Sequence, residues 1–247
     1  MDLTIVFSFL ISGLILAVAV VHSAAGLAGS SGYLAVMALF GRSPIAVKPT
    51  ILTLNIIVAL ISVTRFYRAG FFSWRTFWPF AAGSAPASLL AGSLTVPHFF
   101  HKSLVILIIL YGAARLFFRI GKVKKTTLVP IWIALSIGVA IGSITGLTGV
   151  GGGIFLSPLL LLMHWARRED SCGVSAAFVL VNSVAALLPN VSALLLLPNE
   201  VVYWAPAALV GGWIGTEIGL RGLPIFRLRP FLAVLLIVGA LRSLISG

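Results

Sequence analysis

Charge is what this sequence has least of. Only 9% of its 247 residues are Asp, Glu, Lys or Arg, against about 25% in an ordinary soluble domain, and 60% are apolar, against about 45–50%. So little charge cannot cover a water-exposed surface, which excludes a soluble globular fold. Acidic residues number five. Hard cations need several oxygen ligands carrying negative charge, and only Glu217 is both acidic and inside an apolar run. Cysteine occurs once, at Cys172, which excludes an intramolecular disulfide, a CxxC metal pair and a thiolate-held cluster. No metal and no other cofactor is expected. Seventeen Lys and Arg leave a net charge of +12. In a soluble chain this would suggest nucleic acid, but here the basic residues sit in turns between apolar spans with no basic domain. The expected partner is a lipid bilayer.

What the chain has is hydrophobic length. Apolar runs extend over about 3–25, 49–64, 76–97, 103–118, 128–146, 172–197, 201–220 and 230–246. The first ends in the small residues Ser23, Ala24 and Ala25, as a cleaved signal peptide does. However, Asp2 stands where a basic n-region belongs and about 20 apolar residues exceed an h-region, so the run reads as a membrane helix. Two further runs, 33–41 and 154–165, are too short to cross alone at 1.5 Å per residue. Each follows a glycine-rich segment, Gly26 to Gly32 and Gly146 to Gly153. Counting those segments makes 26–43 and 146–165 long enough to cross as broken helices; the alternative is a re-entrant dip. At about 20 residues per crossing there is room for about ten crossings and for no separate catalytic or regulatory domain.

The chain also repeats itself. A shift of 127 residues places Val47 on Val174, Asn55 on Asn182, Pro79 on Pro206, Gly92 on Gly219, Pro97 on Pro224, Gly112 on Gly239 and Arg115 on Arg242. Upstream a shift of 120 places Gly26 on Gly146, Gly29 on Gly149 and Gly32 on Gly152. The difference falls in the polar turn His164 to Ser171, where an insertion costs little. The predicted organisation is an N-terminal membrane repeat over 1–120, a basic cytoplasmic linker over 121–127 and a C-terminal repeat over 128–247.

The parity of each half follows from the positive-inside bias. Four crossings per half put nine of the seventeen basic residues inside, which is no bias. Five per half put thirteen inside, leaving only Arg42, Lys48, Lys102 and Arg242 outside. Odd parity makes the halves inverted repeats with both termini on the non-cytoplasmic side. The predicted fold is an all-α polytopic membrane protein of two inverted-topology repeats, about five segments each, with helices broken at the glycine motifs. Pairs of this kind are a recurrent plan of secondary transporters, with the substrate at the midplane between broken helices.

An unwound stretch in hydrocarbon leaves N–H and C=O groups unpaired unless protein or a polar cavity satisfies them. The run after Gly149 to Gly153 is then a half-helix over Ile154 to Trp165, whose first N–H groups and dipole make an anion site without a basic side chain. Ser30 and Ser31 add hydroxyls beside Gly29 and Gly32 in the first half. The competing explanation for the glycines is close helix packing. Asn55 and Asn182 lie inside spans at equivalent positions, where a buried amide wants partners; they either glue helices or line a pathway. Lys48, beside Pro49, stands at the outer mouth and its repeat mate is Ser175. The predicted substrate residues are Gly29, Ser30, Ser31, Gly32, Lys48, Asn55, Thr148, Gly149, Gly151, Gly152, Gly153, Ser175 and Asn182. Glu217 and Arg221, four apart on one helix face, read as a local ion pair, His22 as a hydrogen-bonded interfacial histidine, and Arg115 and Arg242 as snorkelling helix-end residues.

The segment Gly146-Leu-Thr-Gly-Val-Gly-Gly-Gly-Ile-Phe-Leu-Ser-Pro158 resembles the TauE/SafE family of sulfite and organosulfonate exporters, and Gly26-Leu-Ala-Gly-Ser-Ser-Gly32 echoes it. The likeness extends over essentially the whole chain. The first half departs from the family pattern, with Ser30 and Ser31 where glycine would continue and Ala38 where the proline would fall. The resemblance implies movement of small sulfur-containing anions, such as sulfite, sulfoacetate or related organosulfonates, across the cell inner membrane. It names the anion that the glycine segments had already called for.

An intramembrane serine protease is the enzyme alternative, since Gly29-Ser-Ser-Gly32 fits GxSG with Ser31 as nucleophile. The chemistry needs a base within hydrogen-bond reach; a rhomboid-like arrangement would supply a histidine from a late membrane helix, yet no histidine follows His164. The chain is therefore read as a transporter with no catalytic residue. A cation or metal carrier is a further alternative, and the oligomeric state stays open, a homodimer included. Topology reporters fused after Gly247 and inserted near residue 123 are expected on opposite faces of the membrane; both on the cytoplasmic face would contradict odd parity.

Overall fold

The computed structural model describes residues 3–41, 44–94, 98–117, 126–222 and 229–245. Most of the linker, including Lys122, Lys124 and Lys125, and also Arg42, Arg119, Arg227 and Gly247 lie outside them, as do the side chains of Lys102, Arg115 and Arg229. The described residues form ten α-helices and one 3-10 segment, with no strand among them. In chain order the helices are α1 (Leu3–Ser23), α2 (Ser30–Leu39), α3 (Pro44–Arg68), α4 (Trp74–Ser93), α5 (His98–Phe117), α6 (Ile131–Thr148), α7 (Gly153–Leu162), α8 (Arg168–Leu187), α9 (Val201–Leu220) and α10 (Arg229–Ile245). Three apolar stretches, Ala46–Arg68, Ile131–Thr148 and Arg168–Leu195, are long enough to cross a bilayer by themselves.

Local chemistry sets the ends. The Ser73 hydroxyl accepts a hydrogen bond from Thr76 N at 3.4 Å and starts α4, as N-cap hydroxyls do. Glu169 and Asp170 fill the first turn of α8, where the helix dipole favours anions, so α8 begins at Arg168, inside the segment read from sequence as a polar turn. α7 stops at Leu162 rather than running on to Trp165: His164 takes a positive φ of 57° and Trp165 N donates back to Leu160 O at 2.8 Å. Helix α8 tightens into a 3-10 segment, Leu188–Leu196, that carries Pro189 and a non-helical residue at Asn190.

Contacts along the helices give their directions. α1 and α9 run side by side the same way: Phe9 meets Tyr203, and Gly211, Gly215 and Gly219 sit against the backbone of Leu16, Val20 and Ala24. α3 runs with α9, placing Val58 on Gly212, the Ser62 hydroxyl 2.9 Å from Thr216 and Arg65 on Glu217. Since α1 and α3 point the same way, the chain returns between them. That return is the turn after Ser23 followed by α2, whose far end brings Phe40 within 6.2 Å of Phe7. α4, α6 and α8 share a second direction: Gly138, Gly142 and Gly146 lie against Phe80, Ser84 and Ser88, while Gly92 lies against Ala186. α8 starts where α3 ends, with Gly173 against Phe66 and Phe71, so this second direction opposes the first.

The tight pairs are built on small residues four apart. These are Gly138, Gly142 and Gly146 on α6, Gly211, Gly215 and Gly219 on α9, and Ser84, Ser88 and Gly92 on α4. In hydrocarbon no hydrophobic force joins helices, so contact depends on backbones approaching closely. A methyl on Gly142 would run into Ser84 O and one on Gly215 into Val20 O, whereas one on Gly13 would meet open space. Overpacking of this kind costs about 1–3 kcal/mol. Gly142→Ala and Gly215→Ala are expected to lower the melting temperature of the purified protein in detergent by several degrees, with Gly13→Ala at or above the parent value. Equal melting temperatures for all three would contradict the packing.

Candidate functional site

The two glycine segments meet at the centre of the helix assembly. Gly29 (φ 119°) and Gly152 (φ 75°) hold left-handed backbone conformations as the N-cap residues of α2 and α7, conformations that strain any residue with a Cβ. These helices leave the junction in opposite directions. α2 ends beside Phe7, whereas α7 ends at His164, whose carbonyl accepts from Thr127 N ahead of α6.

One hydroxyl ties the junction together. Ser30 Oγ donates to Asn55 Oδ1 at 3.1 Å and accepts from Gly151 N at 3.2 Å, while Asn55 Nδ2 donates to Gly149 O at 3.5 Å. Ser30 belongs to the first glycine segment, Asn55 lies near the middle of α3, and Gly149 and Gly151 belong to the second segment. All lie buried. Thr148 supports the second loop, with its hydroxyl donating to Ile144 O at 2.7 Å and accepting from Val150 N at 3.3 Å. Gly151, Gly152 and Gly153 press on α8 at Val179 and Phe178, leaving no space for a side chain.

The remaining predicted residues face different neighbours. Asn182 does not mirror Asn55: its Nδ2 donates to Phe178 O of its own helix at 2.8 Å, and Ser88 of α4 donates to its backbone carbonyl at 3.1 Å. Lys48 lies half-buried with its stem against Gly149 and its Nζ donating to Gly92 O at 3.2 Å, so it caps α4 instead of standing free at a mouth. Ser175 is buried on α8, and its carbonyl lies beside Gly153. Its hydroxyl, Asn182 Oδ1 and the hydroxyls of Ser183 and Thr145 are buried without a hydrogen-bond partner. Two of them border the second loop: a Cβ on Gly151 would lie 3.2 Å from Ser183 Oγ, and one on Gly152 would lie 2.9 Å from Thr145 Oγ1. Polar atoms left unpaired in an apolar interior are unfavourable, and here they crowd around a helix N-terminus.

Gly32 packs on Val18 and His22. Ser31 stands 3.3 Å from His22 Nε2, and its hydroxyl lies beside Gly112 of α5, where Ile154 of α7 also reaches. His22 precedes Ser31 by nine residues and lies buried at the end of α1, hydrogen-bonded as expected. Thr145 and Ser183 were missed. The one signal for His22 was an ionisable residue inside an apolar run, and for Ser183 a hydroxyl next to Asn182.

Charged groups gather elsewhere. The Glu217 carboxylate takes Arg221 Nε at 2.6 Å, as the spacing predicted, and also Arg65 of α3, whose guanidinium lies 4.3 Å from the Trp213 ring centroid. Arg242 donates to Leu39 O at the end of α2. A cleft of about 420 Å³ opens between the starts of α4, α6 and α8, lined by Arg75, Thr76, Trp165 and Asp170; none of the predicted substrate residues reaches it. Among the described residues no group of three or more His, Cys, Asp or Glu is placed to hold a metal ion.

Comparison with known proteins identifies relatives. Residues 11–243 match the family described as sulfite exporter TauE/SafE. The probable membrane transporter protein y4hK of Sinorhizobium fredii is 39% identical over 234 residues, which cover 92% of this chain and 94% of that protein. No solved structure matches. With ten helices, a glycine-broken core and this match over nearly its whole length, the chain is a membrane transporter and belongs to the sulfite exporter TauE/SafE family.

Proposed function

We propose that the protein moves small sulfur-containing anions, sulfite or organosulfonates such as sulfoacetate, across the cell inner membrane by alternating access between two inverted repeats. The observation that carries this reading is the Ser30 hydroxyl, which joins the N-terminus of α2 to the loop that starts α7. Helix N-termini present unpaired N–H groups and positive dipole ends, which favour an anion. Two of them facing each other near the middle of the assembly, edged by unpaired hydroxyls, form a site that needs no cation side chain. Its residues are Gly29, Ser30, Ser31, Gly32, Asn55, Thr148, Gly149, Gly151, Gly152 and Gly153, with Lys48, Ser175 and Asn182 around it.

What supports inversion is the direction of equivalent helices. α1, α3 and their companion α9 point one way; α6, α8 and α4, the counterparts of those three in the other half, point the opposite way. The pairing also maps onto itself when the halves, residues 1–120 and 128–247, are exchanged: α4 on α6 matches α9 on α1, and α3 packs on α8. Arg65, Arg68, Arg75, Arg167, Arg168 and Arg221 then share one face, with Lys48 and Arg242 toward the other. The positive-inside rule makes the arginine-rich face cytoplasmic and puts both termini outside.

Counterflow in proteoliposomes with labelled sulfite and sulfoacetate tests the reading: exchange above empty vesicles is expected, and none for any sulfur anion would overturn it. Ser30→Ala strands Asn55 Oδ1 and Gly151 N, a loss of about 1–3 kcal/mol for buried groups left unsatisfied. It is expected to cut exchange at least tenfold; a variant with parental exchange would remove Ser30 from the site. The contact of His22 with Ser31 also permits a hydrolase reading. Under the transport reading a fluorophosphonate leaves Ser31 unlabelled, and stoichiometric labelling would favour the enzyme.

A further inference from the structure

His22 is the one ionisable side chain among the described residues found hydrogen-bonded to a residue of the glycine segments through a titrating nitrogen. It sits at the end of α1, 3% exposed. Its Nδ1 lies 3.0 Å from Val18 O and its Nε2 lies 3.3 Å from Ser31 Oγ. A carbonyl oxygen only accepts, so Nδ1 carries the hydrogen and Nε2 of the neutral ring presents a lone pair. Ser31 has a single hydroxyl hydrogen and spends it on that lone pair. That hydrogen, on the second residue of α2, is thereby not available to any other acceptor.

Resting on the transport reading above, we propose that His22 is the proton site of the carrier, taking up one proton with each anion it moves. The proton comes from water on whichever face the site is open to and bonds to Nε2. The hydrogen bond then reverses: Nε2–H donates to Ser31 Oγ, the serine keeps its own hydrogen, and that hydrogen turns toward the anion. Protonation thus adds a positive charge beside the site and a donor to it, while a bound anion makes the imidazolium easier to form. Such coupling is reciprocal. On release the proton returns to water on the opposite face and Ser31 again donates to Nε2.

Several ionisable groups on the packed elements have partners of their own. On α2, the Tyr33 hydroxyl donates to Ala28 O at 2.9 Å. On α3, Lys48 donates to Gly92 O and Arg65 binds Glu217; on α9, Glu217 is held by Arg65 and Arg221. Cys172 of α8 lies against the turn at Gly26 through its backbone.

The test uses the full chain in proteoliposomes, with a pH dye in the lumen and potassium plus valinomycin to clamp the voltage. Sulfoacetate is the probe because, above about pH 6, its carboxylate is ionised and it brings no proton of its own. An inward sulfoacetate gradient is expected to acidify the lumen, with about one proton entering per anion. In His22→Gln, whose amide takes up no proton, the ratio of protons to anions is expected to fall toward zero. Anion entry by the parent protein without acidification, or an unchanged ratio in His22→Gln, would overturn the proposal. If His22→Gln does not fold, Ser31→Ala keeps the proton site and removes the relay: acidification is expected to persist while half-saturating sulfoacetate rises at least fivefold, and an unchanged concentration would overturn the relay. Failure of the parent protein to move any sulfur anion strikes the transport reading itself and is read out separately by counterflow.

Discussion

A hydroxyl left unpaired in an apolar interior is costly, and the pairing of Ser30 organises this protein. Its oxygen accepts from Gly151 N in one glycine segment while its hydrogen goes to Asn55 on the longest helix. That bond links the first residue of α2 to the loop that starts α7. Unwound backbone survives in hydrocarbon only when something polar satisfies it, and here each half of the chain supplies polar groups to the other. The rest of the fold holds this junction in place. α1 with α9 and α4 with α6 pack backbone to backbone through small residues four apart, and they grip the two glycine loops between them.

The same constraint bears on chemistry. With intramembrane charge rare and expensive, an anion site made of N–H groups, helix dipoles and hydroxyls avoids burying a permanent cation. The arginines accordingly stand at helix ends, where Arg65 and Arg221 close on Glu217 and Arg242 caps α2. Lys48 also donates to a helix-end carbonyl.

Much of the fold was legible in the sequence because hydrophobic length and sparse glycines, prolines and asparagines are local signals. The apolar runs became helices, and the two runs too short to cross became α2 and α7. The polar turn at His164 to Ser171 was misread at its far end, since Glu169 and Asp170 suit a helix start as well as a loop. The equivalence of Asn55 and Asn182 predicted a shared role, yet Asn182 turns its amide onto its own helix. Likewise Lys48 looked like a free mouth residue until the fold placed Gly92 O within its reach. His22 meets Ser31 only because the turn after Ser23 folds α2 back along α1, and no spacing in the sequence announces that contact.

The position of a bound anion decides where the substrate site lies. A structure of the protein determined with sulfite bound is the most direct measurement. The anion is predicted between the N-termini of α2 and α7, within hydrogen-bonding distance of Ser30 Oγ and Gly151 N. Sulfite held instead in the cleft lined by Arg75 and Asp170, with the glycine junction empty and closed, would contradict it.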